Sequence, residues 1–467
     1  MVFECPRIVI AGTNSGVGKT SVTLALVSAL RKRGLRVQTF KVGPDYLDPT
    51  YLSIASGQPC YNLDGWMTDR NYVTKLFLDK ASGADLAVIE GVMGLFDGSD
   101  PEGPEGSTAE IASWLNAPVL LVVNVHGLAR SLAAIVHGFA DFDPGVKISG
   151  VIANHCGSER HGKWISHSLE ASHLPKLVAH LTRGSLPSLP SRHLGLVSAD
   201  ARILNQRVLD EMGQAIEKQC SLPNILAIAR NASPLKIQPP TISENPSHKS
   251  IQLGIARDEA FHFYYMDNLE ALSAAGCELV EFSPVRSGML PEGLDALYLG
   301  GGYPEEHAAE LADNRTMIDS IKRFAESGRP VYAECGGLMY LSKGIQSKDL
   351  QQFELVGLFP SWTRMLPRLK SLGYAEITLT QNSLFGAKGT RIRGHEYHYS
   401  ELISDPTENG YWTKAYQVTA PLKKVNRLEG FQRENILVSY IHGHFASKPN
   451  SVSHFVSLCK NVKRREN

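Results

Sequence analysis

The sequence predicts an α/β protein made of two successive doubly wound domains, and three observations lead there. Short β-branched apolar runs alternate with longer amphipathic segments. That alternation stops once, at a proline-rich stretch, and then starts again. Each half also carries a glycine-rich turn between an expected strand and an expected helix, where reactive groups can be displayed.

In the first half, residues 7–11, 36–41, 86–90, 118–125 and 148–154 read as strands, and residues 20–33, closed by Gly34, read as a helix. Apolar runs without clean alternation belong to strands covered on both faces, hence to a parallel sheet. From 231 to 250 the chain turns to Ser-Pro, Gln-Pro-Pro, Glu-Asn-Pro and Ser-His-Lys-Ser, a polar linker. A second series begins at 251–256 and continues through Cys277–Phe282, Ala296–Leu299 and 330–333. The expected layout is a first domain over 1–230, the linker, a second domain over 251–447, and a tail over 448–467. Lys460, Lys463, Arg464 and Arg465 read as a solvated basic end of that tail.

At 467 residues the chain has room for two to four domains with their own cores. Lys plus Arg equal Asp plus Glu at 47 each, so the charge balance points to neither a nucleic-acid nor an acidic-membrane partner. No apolar run reaches the roughly 18 residues of a membrane span, and the N-terminal residues lack a signal-peptide pattern. The cysteines are seven, scattered and without a C-x-x-C pair, which argues against a disulfide framework or a zinc site. A reduced, cytoplasmic protein is expected.

The first glycine-rich turn is Gly12-Thr13-Asn14-Ser15-Gly16-Val17-Gly18-Lys19-Thr20-Ser21, directly after the strand at 7–11. The usual phosphate-loop spacing wants glycine five positions before Gly18, but Thr13 stands there and the glycine is Gly12. This resembles the deviant loop of dethiobiotin synthetases and partition ATPases. Gly16 and Gly18 let backbone N–H groups close on phosphate oxygens, Lys19 reaches the outer phosphates, and Thr20 offers a hydroxyl to Mg²⁺. Lys41, Asp45 and Asp48 follow the second strand, and Glu90 and Asp97 follow the third. Ligands of an open parallel sheet bind beyond the carboxyl ends of its strands, so these clusters should converge on the γ-phosphate. Asp45 and Glu90 join Thr20 as expected metal ligands. Lys41 is equally readable as a surface lysine, Asp97 as a turn cap, and Asn154, at the end of the fifth strand, as an adenine contact or a structural residue.

The second turn, Ala333-Glu334-Cys335-Gly336-Gly337, places one cysteine on an elbow before a helix, where the helix N-terminus favours thiolate. His442 and His444 end an apolar run over 437–445, read as one buried strand, and offer a base. Gly301 and Gly302, with Gly336, can supply N–H groups to an oxyanion. A thiol site in one half and a phosphate loop in the other suit a glutamine-dependent ligase.

The motifs G-T-x-S-x-V-G-K-T, K-x-G-P-D-Y-L-D-P, E-G-V-M-G-L-F-D-G, G-G-G-Y-P-E, A-E-C-G-G-L-M-Y-L, R-G-H-E-Y-H-Y-S and S-Y-I-H-x-H-F-A occur in that order. Over about residues 5–447 this series resembles the cobyrinate a,c-diamide synthase family. The resemblance implies a P-loop NTPase-like parallel sheet followed by a flavodoxin-like class I glutamine amidotransferase sheet. It implies ATP as substrate, Mg²⁺ as cofactor, L-glutamine as nitrogen donor, and cobyrinate or a related tetrapyrrole as acceptor. By position Cys335 matches the nucleophile and His442 its base, while the loop with Asp45, Asp48, Glu90 and Asp97 matches the synthetase site. Ordinary class I glutaminases place Pro-Glu after the histidine; Gly443-His444 stands here, which leaves the third member unnamed. The implied route is an acyl phosphate on each of two acetate side chains, displaced by ammonia that travels internally. Hydrogenobyrinate and nickel-sirohydrochlorin are alternative acceptors, and the four-amide chemistry of cobyric acid synthase fits the Gly-Pro-Asp-Tyr-Leu-Asp-Pro block less well. A partition-type regulatory ATPase with a decayed glutaminase domain is the reading from another class. A homodimer is compatible with the sequence.

Overall fold

The computed structural model describes residues 2–187, 189, 204–236, 250–420 and 425–466. It divides into two compact units, Met1–Ser243 and Glu244–Asn467. Most of the stretch expected as a linker lies outside the described residues.

The first unit is built on a seven-stranded parallel sheet: β1 Arg7–Gly12, β2 Val37–Val42, β3 Tyr61–Leu63, β4 Leu86–Glu90, β5 Val119–Asn124, β6 Ile148–Cys156 and β7 Leu177–Thr182. Their spatial order is β3-β2-β4-β1-β5-β6-β7. Ile8, Val9 and Ile10 are all fully buried, as covered faces on both sides require. Helix α1 (Lys19–Lys32) follows β1, and helix α2 (Leu47–Ser56) follows β2. The order matters for chemistry because it sets β4 between β1 and β2. In register, Glu90 lies opposite Lys41 on one side and Ile10 on the other. The phosphate loop, the lysine cluster and the buried glutamate are thus delivered to one edge.

The second unit starts as expected with parallel strands β8 Ile251–Ala256, β10 Cys277–Phe282, β11 Ala296–Leu299 and β13 Val331–Glu334. Phe261–Phe263 (β9) and Gly301–Gly302 (β12) form a separate two-stranded ribbon. The main sheet is larger than a flavodoxin-like sheet and is mixed. It adds β14 Ser371–Leu379, β15 Arg391–His398, β16 Thr413–Ala420, β17 Val425–Arg433, β18 Ile436–Ser439 and β19 Ile441–Gly443. The order is β10-β8-β11-β13-β18-β17-β16-β14-β15-β19. Only Tyr440 separates β18, fifth in the sheet, from β19, the tenth, so the antiparallel half must roll back on itself. The single strand expected over 437–445 is therefore two short strands that break at Tyr440.

The expected tail carries a helix, α4 (Asn450–Glu466), in which Val452, Phe455, Val456 and Cys459 are buried, while Lys460 and Lys463 of its basic end are half-buried and Arg464 is exposed. The 3-1-3 spacing of the four buried residues makes one apolar stripe, which outweighs the basic composition of the last turns. Lys463 Nζ reaches Asp295 Oδ2 at 2.8 Å.

Candidate functional site

The phosphate loop closes with Gly16 at φ +80° and Gly18 at φ +94°, conformations that favour glycine. A Cβ on Gly18 would lie 2.3 Å from Asn154 Nδ2, so a side chain is excluded there on both counts. Asn154 donates from Nδ2 to Val17 O at 2.8 Å and is thereby placed as a prop behind the loop. Asn14, Ser15 and Gly16 form the open tip, whereas Lys19 is almost covered. Lys19 Nζ donates to Asn14 O at 3.2 Å and to Met93 O at 2.5 Å. Burial and the nearby Lys41 cation draw the Lys19 ammonium down to about 8.

Beneath the loop lies a buried charge cluster. Lys41 Nζ is 2.6 Å from Asp48 Oδ2 and 2.9 Å from Glu90 Oε1, and it also donates to Gly91 O at 3.1 Å. Lys41 is not a surface lysine; it is 2% exposed. Burial acts to lower its ammonium, but Asp48 and Glu90 outweigh that and hold it charged. Thr20 Oγ1 donates to Glu90 Oε1 at 2.7 Å. Burial pushes Glu90 up to about 7 against the pull of Lys41. Asp48 is buried too, yet Lys41 holds it below its ordinary range.

The other expected acids are placed differently. Asp45 Oδ1 accepts from Leu47 N at 2.8 Å and Asp48 N at 3.1 Å, so it braces the start of α2. Burial and the Asp48 charge raise it to about 6. Asp97 is exposed and accepts from Gly94 N at 2.8 Å, a turn contact, although its charge still acts on Lys19. Of the metal ligands expected, Thr20 and Glu90 are in direct contact, while Asp45 borders the cluster through Asp48 and its charge acts on Lys41. Among the described residues no cage of three or more His, Cys, Asp or Glu side chains occurs. Mg²⁺ does not need one, since it is commonly held by one or two protein oxygens plus phosphates and water. Glu90 Oε2 is buried with no hydrogen-bond partner while Oε1 is engaged, which suits a carboxylate awaiting a cation. Thr108 was not foreseen: its hydroxyl accepts from Val92 N at 2.9 Å and pins the loop after Glu90.

In the second unit the elbow forms as expected, with Cys335 at φ +46° and ψ −98° between β13 and helix α3 (Gly336–Leu341). Its sulfur is not exposed, however. Cys335 is 5% exposed, and burial with the charges of Glu305 and Glu396 pushes it well above the ordinary thiol range.

The elbow and the glycine ribbon meet closely: a Cβ on Gly336 would lie 3.0 Å from Gly302 N. A Cβ on Gly301 would lie 2.4 Å from His442 Cε1 and 3.3 Å from Nε2. The glycines are thus wedged between the elbow and the imidazole, where backbone N–H groups can face a developing oxyanion. His442, 1% exposed, stacks on His395 at 5.0 Å between ring centres. His444 turns to Asp267, with Nε2 3.3 Å from Oδ2. Glu334, Asp267, His395 and Tyr265 were not singled out from sequence; each depends on the tertiary fold, which brings distant segments together.

Two family models cover most of the chain. Residues 8–195 match the CobQ/CobB/MinD/ParA nucleotide binding domain, and residues 252–450 match the CobB/CobQ-like glutamine amidotransferase domain. Similarity to curated proteins runs end to end. The chain is 54% identical over 458 residues to the cobyrinate a,c-diamide synthase of Syntrophotalea carbinolica, covering 98% of this chain and 99% of that one. It is 44% identical over 459 residues to the enzyme of that name from Leptospira interrogans, covering 98% and 99%. It is 40% identical over 465 residues to that from Archaeoglobus fulgidus, covering 99% of each.

Proposed function

The chain belongs to the cobyrinate a,c-diamide synthase family, a family of glutamine-hydrolysing ligases, and we propose that it converts the a and c acetate carboxylates of cobyrinate to amides. The observation that carries this reading is that both reactive centres are intact in one chain. Cys335, the glycine ribbon and His442 adjoin in one unit, and Thr20, Lys41, Asp48 and Glu90 adjoin beneath the phosphate loop in the other.

At the thiol site, His442 takes the proton of Cys335 as the sulfur attacks the carboxamide carbon of glutamine. The amides of Gly302 and Gly336 hold the oxyanion. The C–N bond breaks, the imidazolium returns its proton to the departing ammonia, and water then hydrolyses the thioester to glutamate. At the phosphate site, a side-chain carboxylate oxygen attacks the γ-phosphorus of ATP and ADP leaves. Ammonia then attacks the acyl carbon of the acyl phosphate and inorganic phosphate departs, giving the amide. Lys19 places positive charge at the transferring group. Lys41 fixes Asp48 and Glu90, and Thr20 with Glu90 would hold Mg²⁺. When bound, that ion supplies charge neutralisation along the phosphates. The activation is needed because a carboxylate is a poor electrophile.

Purified protein incubated with ATP, glutamine and, separately, cobyrinate, hydrogenobyrinate or nickel-sirohydrochlorin tests the assignment through product masses. Conversion of two carboxylates on cobyrinate, faster than on the other two, is expected. Preference for either alternative acceptor would reassign the substrate and leave the chemistry standing. Among the described residues no helix is long and apolar enough to cross a membrane.

A further inference from the structure

We propose that Glu334, the residue preceding the nucleophile, is the carboxylate that positions the His442 imidazole for glutamine hydrolysis. Its Oε2 lies 3.7 Å from His442 Nδ1, and both side chains are 1% exposed. The inference rests on the reading of Cys335 and His442 as the glutaminase pair.

Three further contacts fix the carboxylate. Tyr298 Oη donates to Oε2 at 2.8 Å, Tyr332 Oη donates to Oε1 at 2.5 Å, and Gly443 N donates to Oε1 at 2.9 Å. The last of these binds the residue next to His442, so one carboxylate sets both the strand and the ring. Together these donors hold the carboxylate in one orientation. The imidazole then has two distinct edges. Nδ1 faces Glu334, while Cε1 and Nε2 face Gly301 and the ribbon that meets the elbow. A carboxylate at Nδ1 keeps the proton on that nitrogen and leaves Nε2 as the base, and it steadies the imidazolium once formed. A separation of 3.7 Å is long for a hydrogen bond, but catalytic contacts are often loose before substrate binds.

The other groups around the ring do not fill this place. His395, stacked from β15, is held neutral by burial and by His442 and His444, and its Nδ1 bonds Tyr265 Oη at 2.8 Å. His444 is directed at Asp267, so the position two residues after the histidine serves a separate pair.

The test is Glu334→Gln. The amide oxygen can keep the bonds to Gly443 and Tyr332, while the amide nitrogen would donate to Nδ1 and force the wrong tautomer. The expected result is a fall in kcat for glutamine hydrolysis of roughly a hundredfold to ten-thousandfold. KM for glutamine and the ammonium-driven amidation rate should stay near wild type. The residual hydrolysis should climb steadily with pH, as hydroxide replaces the missing base, where the wild-type rate levels off. If Glu334→Gln does not fold, Glu334→Asp is read the same way, with a smaller loss of kcat and the same tilt of the pH profile expected. A kcat within about threefold of wild type, or a loss confined to KM with an unaltered pH profile, overturns the inference. Labelling of Cys335 by a glutamine-like diazoketone separates the two levels. If wild-type protein neither hydrolyses glutamine nor takes the label, the glutaminase reading itself has failed.

Discussion

Replacing Lys41 by Met removes the cation shared by two buried carboxylates while keeping a stem of similar volume. Lys41 Nζ stands 2.6 Å from Asp48 Oδ2 and 2.9 Å from Glu90 Oε1, with side chains 3%, 12% and 0% exposed respectively. Removing one partner of a buried ion pair costs about 3–5 kcal/mol. For a unit of this size each kcal/mol moves the melting temperature by about 2–4 °C, so a drop of roughly 6–20 °C follows. The loss should depend on pH. Burial already pushes Glu90 up to about 7 with Lys41 present; without it Glu90 rises further, and Asp48 loses the cation that holds it low. An acid raised in the folded state weakens folding most above its folded pKa, and the penalty recedes as pH falls toward its ordinary value. The deficit should therefore be larger at about pH 8 than at about pH 6. Amidation with ammonium should fall by roughly two orders of magnitude, because Glu90 would no longer be held against Thr20. Glutamine hydrolysis in the other unit should persist. Calorimetry at the two pH values and an ammonium-driven assay decide the matter. A melting temperature within about 2 °C of wild type at the higher pH, with near-normal amidation, would refute the reasoning.

Four other substitutions separate the two centres. Gly301→Ala drives a Cβ to 2.4 Å from His442 Cε1, so glutamine hydrolysis should drop by roughly a hundredfold or more, with ammonium-driven amidation intact in the same assay. Cys335→Ala should abolish glutamine-driven amidation and spare the ammonium-driven rate; loss of both in a folded protein would contradict independent sites. His442→Asn should match the cysteine variant in steady-state glutaminase assays, whereas His444→Asn, which breaks the contact to Asp267, should lose less than about tenfold. The reverse ranking would exchange the two histidines.

The parallel strands were legible because a strand covered on both faces must be apolar throughout, as Ile8 to Ile10 are. The meeting of Lys41 with Glu90 was legible only as a tendency, since strand order is not written in any local window. The antiparallel half escaped notice for a physical reason. In β14 burial alternates only from Tyr374 to Leu379 and the start of the strand is half-buried or exposed, and such strands give a weak apolar signal. The approach of Glu334 to His442 was not legible, because Gly443 and Glu334 are 109 positions apart and meet only once the parallel strands β13 and β18 pair, with Glu334 opposite Ser439. The burial of the thiol was not legible. Local sequence displays the elbow and its helix, but burial and the charges of Glu305 and Glu396 come from the tertiary fold. The helix of the tail was missed because its composition was weighed ahead of the spacing of Val452, Phe455, Val456 and Cys459.

The account's central claim is that nitrogen freed at Cys335 ends in the product of the phosphate site. The direct test supplies wild-type protein with ATP, cobyrinate and glutamine labelled in its amide nitrogen, in unlabelled ammonium buffer, and counts label in the macrocycle against ADP and glutamate formed. The account predicts two labelled amides per macrocycle, with one ADP and one glutamate for each. Product amides that draw their nitrogen from the buffer, or glutamate formed without matching ADP and amide, would contradict it.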